Sequence, residues 1–243
     1  MSQAPLALWR RVIFVDWHGV LSRDPFWISI LQSDRHRLKP QLQARLGELF
    51  SQPISHQWMK GYVSSDEIIE NMEVELPKGY SATYLRRRLD DDVRKMKVNV
   101  DLFRILRRAR KDALVVIATD NMDCFRQAFE KVLWNRRKPV ENVATALMRD
   151  WAKSCDALIC SSDVRALKAE DPQAFFGPFL QEHGLTFSDA TLIDDRLDNC
   201  EAFAAQGGRP LRYKMTSNPI SDVEEGLAAW LTATVRAQQV ACG

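Results

Sequence analysis

The sequence predicts an α/β protein: a mostly parallel sheet, covered on both faces by helices, that carries a small inserted helical domain. Two observations predict the sheet. Short apolar runs, too short for helices, each lead into polar residues. Between them lie amphipathic helical patterns, and strands alternating with helices imply parallel pairing through crossover connections. The third observation predicts the insert. From about Arg23 to Lys97 the spacing is helical throughout, with little β-branched alternation.

The first strand is "RVIFV", which breaks off at Asp16 in the stretch "VIFVDWHGVLS", Val12 to Ser22. Four apolar residues suffice for a buried strand, and a carboxylate at its carboxyl end is expensive unless something uses it. His18 follows two places later, then Gly19, which lets the chain turn sharply. The insert comes next. Pro40, Pro53, Gly61, Pro77 and Gly79 divide it into about four helices. Ser64 followed by Glu67 is the signature of a reciprocal helix cap. "NVDLFRILRRARK" places Val100, Phe103, Leu106 and Ala109 on one helical face, behind Asn99 or Asp101 as cap. The second strand, "ALVVIA", ends at Thr119, and the helix "MDCFRQAFEKVLW" follows. The third strand, "DALIC", ends at Ser161 and precedes the helix "PQAFFGPFLQEHG", which closes on Gly184. The fourth, "ATLI", ends at Asp194, before the helix "RLDNCEAFAAQGG". Ligands of such sheets bind outside the carboxyl ends of the strands. Asp16, Thr119 and Asp194 all fall there.

Composition excludes several classes of partner. The 243 residues carry 34 basic and 32 acidic side chains, a net charge of +2, so no global footprint for nucleic acid exists. The basic runs at 86–88, 107–111 and 135–138 read as solvated faces. Five scattered cysteines form no CxxC pair and no metal spacing, which points to a reducing compartment. No apolar run approaches the roughly 18 residues that span a bilayer. The first residues lack the pattern of a signal peptide. The expectation is a cytoplasmic protein without membrane or nucleic-acid partners. Homo-oligomerisation is left open.

Four motifs in order resemble the haloacid dehalogenase superfamily of hydrolases, over nearly the whole chain. They are "VIFVDWHGVLS", "VVIATDN", "CSSDVRALKAEDPQAFF" and "TLIDDRLDNCEAFAAQGG". The resemblance implies a Rossmann-like core of residues 1–22 and 97–243 and a helical cap of residues 23–96. It implies a magnesium-dependent phosphatase of a small phosphorylated metabolite. Asp16 is then the nucleophile that forms an aspartyl-phosphate. Asp16, Asp194 and Asp195 hold the metal, with the backbone carbonyl of His18. Thr119, Asp120 and Lys168 contact the phosphoryl group, Thr119 through its hydroxyl and Lys168 by neutralising charge.

Two positions depart from the family. Where the family usually has Lys-Pro-Asp-Pro, "KAEDP" substitutes Ala169 and adds one residue, which puts the reach of Lys168 in question. His18 replaces the family's second aspartate, whose side chain serves as acid and base. Imidazole titrates near 6.5, so it can perform that task near neutrality; a neighbouring phosphate dianion would keep it protonated to higher pH. Two alternatives follow from this substitution. One is carbon–halogen or carbon–phosphorus cleavage from the same aspartate, the latter with Lys60 as a Schiff-base candidate. The other is a non-catalytic binding or regulatory protein on the same fold. Trp27, Trp58 and Tyr62 are candidates for a cap pocket, though core packing is the more frequent role of such aromatics. Arg23 and Arg35 are candidates for holding a second anionic group.

Overall fold

Val12–Val15, wholly buried, form strand β1 and pair on both sides. Val12 lies opposite Leu114 on one neighbour and Ala190 on the other, both parallel. These neighbours are β2, Leu114–Thr119, and β4, Ala190–Asp194. With β3, Ala157–Cys160, and β5, Arg209–Arg212, they make a five-stranded parallel sheet in the order β3-β2-β1-β4-β5. The computed structural model describes residues 11–133, 148 and 155–241. The basic run at 135–138, Trp134, the first ten residues and Cys242 lie outside them.

Alternation along the strands separates two cores. Ile13 and Val15, with Val115 and Ile117, face the layer that includes the insert. Val12, Phe14, Val116 and Ala118 face Phe175, Phe176 and Phe203 on the other side. Phe14 meets Phe176 with ring centroids 4.8 Å apart, and Phe176 meets Phe203 at 5.0 Å.

The insert contains five helices rather than four: α1 Ile28–Leu31, α2 Lys39–Phe50, α3 Ile54–Met59, α4 Ser65–Asn71 and α5 Tyr84–Arg94. Pro40 does not divide it, because proline is tolerated in the first turn of a helix and sits there in α2. Ser64 and Glu67 make the expected reciprocal cap of α4, with Ser64 N donating to Glu67 Oε2 at 2.8 Å. Both ends of the insert leave the sheet at one place. Asn99 N donates to Leu21 O at 2.7 Å, Ser22 Oγ to Lys97 O at 2.6 Å, and Lys97 N to Asp24 Oδ2 at 2.7 Å.

The remaining helices are α6 Val100–Ala109, α7 Asp123–Leu133, α8 Ser161–Val164, α9 Pro172–Glu182, α10 Leu197–Ala205 and α11 Ile220–Ala241. Asn99, not Asp101, caps α6, accepting from Leu102 N at 3.2 Å. Asp123 joins insert to sheet layer: Ser65 N and Trp58 Nε1 each donate to its Oδ1 at 3.1 Å. Ser161 Oγ donates to Met59 O at 2.7 Å. Arg86 departs from the reading of its run as a solvated face, which Arg87 and Arg88 keep. It is largely buried, paired with Asp66 and Asp90 and bonded to Gln127. Among the described residues no helix is long and apolar enough to cross a membrane.

Candidate active site

Asp16 continues the line of β1 by one residue, its N–H donating to Ile193 O at 2.9 Å. Its carboxylate therefore stands at the carboxyl edge of the central strand, almost wholly buried. Lys168 reaches it from the loop before α9. The Nζ donates to Asp16 Oδ1 at 2.8 Å, to Asp194 Oδ2 at 2.5 Å and to Ala118 O at 3.2 Å. The extra residue in "KAEDP" does not shift this reach. It is taken up after the lysine, where Glu170 N and Asp171 N both return to Leu167 O. Lys168 N itself donates to Asp120 Oδ1 at 3.0 Å, which ties this loop to the end of β2.

Asp194, fully buried, also accepts from Arg196 N at 2.9 Å and from Asn199 Nδ2 at 3.1 Å. Asp195 turns outward beside the loop after β1. Gly19 there has φ +86°, and a Cβ on it would stand 2.6 Å from Asp195 Cγ. Only glycine permits both the turn and this approach. Asp16, Asp194 and Asp195 can thereby present carboxylate oxygens within 4.8 Å of one another.

The charges are strongly perturbed. Burial pushes the Asp16 carboxyl up to about 7, against the opposing pull of Lys168. Burial also disfavours the Lys168 ammonium, but Asp16, Asp194 and Asp120 together outweigh it and hold the amine above the ordinary lysine value. Asp120 and Asp195 are both raised, chiefly by burial. The His18 side chain is exposed at the rim. Loss of surrounding solvent lowers its imidazole below 6.5, and Asp195 and Asp24 oppose that shift.

A cavity of about 520 Å³ opens above these groups. Asp16, His18, Asp120, Lys168 and Asp195 border it. Thr119 does not. It is fully buried, and its Oγ1 has no hydrogen-bond partner among the described residues. By strand alternation Thr119 shares the parity of Val115 and Ile117, whose side chains join the core on the insert side of the sheet. Asp120, one place on, faces the cavity instead.

The walls come from residues that sequence reasoning missed: Phe26, Leu46, Phe50, Met59 and Met96. They belong to separate insert segments, and no local pattern distinguishes them from core. Trp27 and Trp58, by contrast, are wholly buried core, and Tyr62 lies under Arg165 away from the cavity. Arg23 and Arg35 are exposed and off its wall. Lys60 is also off the wall and pairs with Glu170.

No protein-family model matches the chain, and no curated protein matches it in sequence. Solved structures do. A HAD-like family hydrolase from Porphyromonas gingivalis superposes with a TM-score of 0.61 at 14% identity, covering 90% of this chain and 98% of that one. A HAD family enzyme from Bacteroides thetaiotaomicron, in complex with magnesium and inorganic phosphate, gives 0.56 at 16% identity, over 88% of this chain and 98% of that one. The L-2-haloacid dehalogenase of Xanthobacter autotrophicus, with chloropropionic acid covalently bound, gives 0.57 at 10% identity, over 90% and 83%. At identities this low the agreement is one of backbone path, and that path is the haloacid dehalogenase-like fold.

Proposed function

We propose that the protein is a magnesium-dependent phosphatase of a small phosphate monoester, with residues 23–96 acting as a cap over the site. The observation that carries this reading is the bridge of Lys168 between Asp16 and Asp194, with Asp195 in the same cluster. The donor set fits magnesium, which takes hard oxygen ligands and needs only one or two carboxylates beside substrate phosphate and water. Asp16, Asp194 and Asp195 would hold it, with the carbonyl of His18. The B. thetaiotaomicron relative carries magnesium and phosphate together. The bound cation supplies the positive charge that lets a phosphate dianion approach a floor of carboxylates.

Asp16 attacks phosphorus, forming an acyl-phosphate bond as the bond to the alcohol oxygen breaks. Lys168 favours ionised Asp16 against the cost of its burial and offsets charge on the transferring group. His18, as imidazolium, gives the departing alkoxide its proton. As neutral imidazole it then accepts a proton from the water that cleaves the acyl-phosphate. Asp120 stands at the edge of the phosphoryl site. Carbon–halogen cleavage has no use for the acidic cluster, and Lys60, spent on Glu170 outside the cavity, is poorly placed for a Schiff base.

The test is Asp16→Asn, which removes the nucleophile at nearly constant volume. Turnover of phosphate monoesters should fall by at least about 10³-fold, as removal of a nucleophile does, while circular dichroism shows an intact fold. Substantial residual turnover in the folded variant would overturn the mechanism.

A further inference from the structure

We infer that the group esterified to the phosphate is uncharged and apolar. The inference rests on the phosphatase reading above and concerns the part of the cavity that does no chemistry. Above the acidic floor the walls are apolar: Phe26, Leu31, Leu46, Phe50, Met59 and Met96. Phe50 is 50% exposed at the rim, a large hydrophobic surface left open to solvent. The volume of about 520 Å³ suits a small molecule buried over most of its surface.

The charges exclude a second anion. Besides His18, which the mechanism assigns to the leaving oxygen, Lys168 and Arg196 are the cations bordering the cavity among the described residues, and both are engaged. Lys168 is spent on Asp16 and Asp194. Arg196 forks onto Asp198, with Nε donating to Oδ1 at 3.0 Å. The further charged side chain on the wall is Asp24, a carboxylate. A substrate with a second phosphate or a carboxylate would bring it into this apolar, acid-flanked space with no partner, at the cost of desolvation.

Two measurements on the wild-type protein with magnesium test this. In the first, a series of n-alkylphosphonates, which cannot be hydrolysed, is titrated by calorimetry. Affinity should rise about fourfold per added methylene until the cavity is filled. In the second, turnover of hexyl phosphate is compared with that of 5-carboxypentyl phosphate, whose leaving alcohols are nearly equal. The hexyl ester should be favoured at least tenfold in kcat/KM, and Phe50→Lys should narrow that ratio. Affinity independent of chain length would overturn the inference, as would equal turnover of the two esters, while leaving the phosphatase reading in place. Length-dependent binding with no turnover of any ester would support the apolar site and overturn the phosphatase reading instead.

Discussion

His18 occupies the position where the family that the sequence motifs resemble would place a carboxylic acid, and its surroundings set its charge. Partial loss of solvent at the rim lowers the ring below 6.5, while Asp195 and Asp24 oppose the shift. In the metal-free protein, an NMR titration of the His18 ring should give a midpoint below 6.5, its signal assigned by loss in His18→Gln. Asp195→Asn removes a charge that favours the imidazolium, so the midpoint should move lower still. A midpoint that stays or rises in that variant would contradict this account. A free imidazole that is mostly neutral at pH 7 is ready to take a proton from water, and it needs the phosphate dianion to recharge it as an acid. At this scale the sequence was legible where a residue's place follows from a strand end, as for Asp16 and Asp194. At the end of β2, Thr119 and Asp120 are both expected at the phosphoryl group. The sequence does not tell which of these two successive side chains borders the cavity, because the apolar run "ALVVIA" is buried on both faces and carries no parity.

Between β1 and the insert, the loop turns on Gly19, and the turn is shaped by what it must clear. At φ +86° any side chain is strained, and here it also meets the Asp195 carboxylate. Gly19→Ala should therefore cost about 1–3 kcal/mol of stability and displace Asp195. If Asp195 holds magnesium, thermal melts should show a stabilising shift with the metal in the wild type and a reduced or absent shift in Gly19→Ala. An undiminished shift would mean that Asp195 is not a ligand or that it moves freely. Elements announced by strong local signals were readable: the Ser64 cap, the Asn99 cap and the four apolar strands. Strand β5 was not, because "RPLR" is half exposed and has no apolar run. It pairs on one side with β4, and proline is tolerated at such an edge. The long helix α11 also went unread, although Val223, Leu227 and Trp230 bury one face of it.

Across the whole molecule, the insert is fastened to the sheet layer by a few buried polar contacts. Asp123 is the densest, receiving Ser65 N, Ser65 Oγ and Trp58 Nε1. Asp123→Ala should leave the buried Ser65 N–H without an acceptor, a loss of about 1–3 kcal/mol. Hydrogen exchange should then quicken in α3 and α4 while β1 and β2 stay protected. Equal protection throughout would show that the insert is held by its apolar contacts alone. The cavity walls were invisible in the sequence for a related reason: they exist only once separate helices have docked. The sheet order has one more consequence, for the chain as it is made. Strand β1 is central, yet its partners begin at Leu114 and Ala190. At about 5–20 residues per second, synthesis of the stretch between those partners takes ~4–15 s. Throughout that interval a nascent chain that has already paired β1 with β2 holds the apolar edge of "VIFV" open, and the strand that anchors the site is the one longest exposed to a wrong partner.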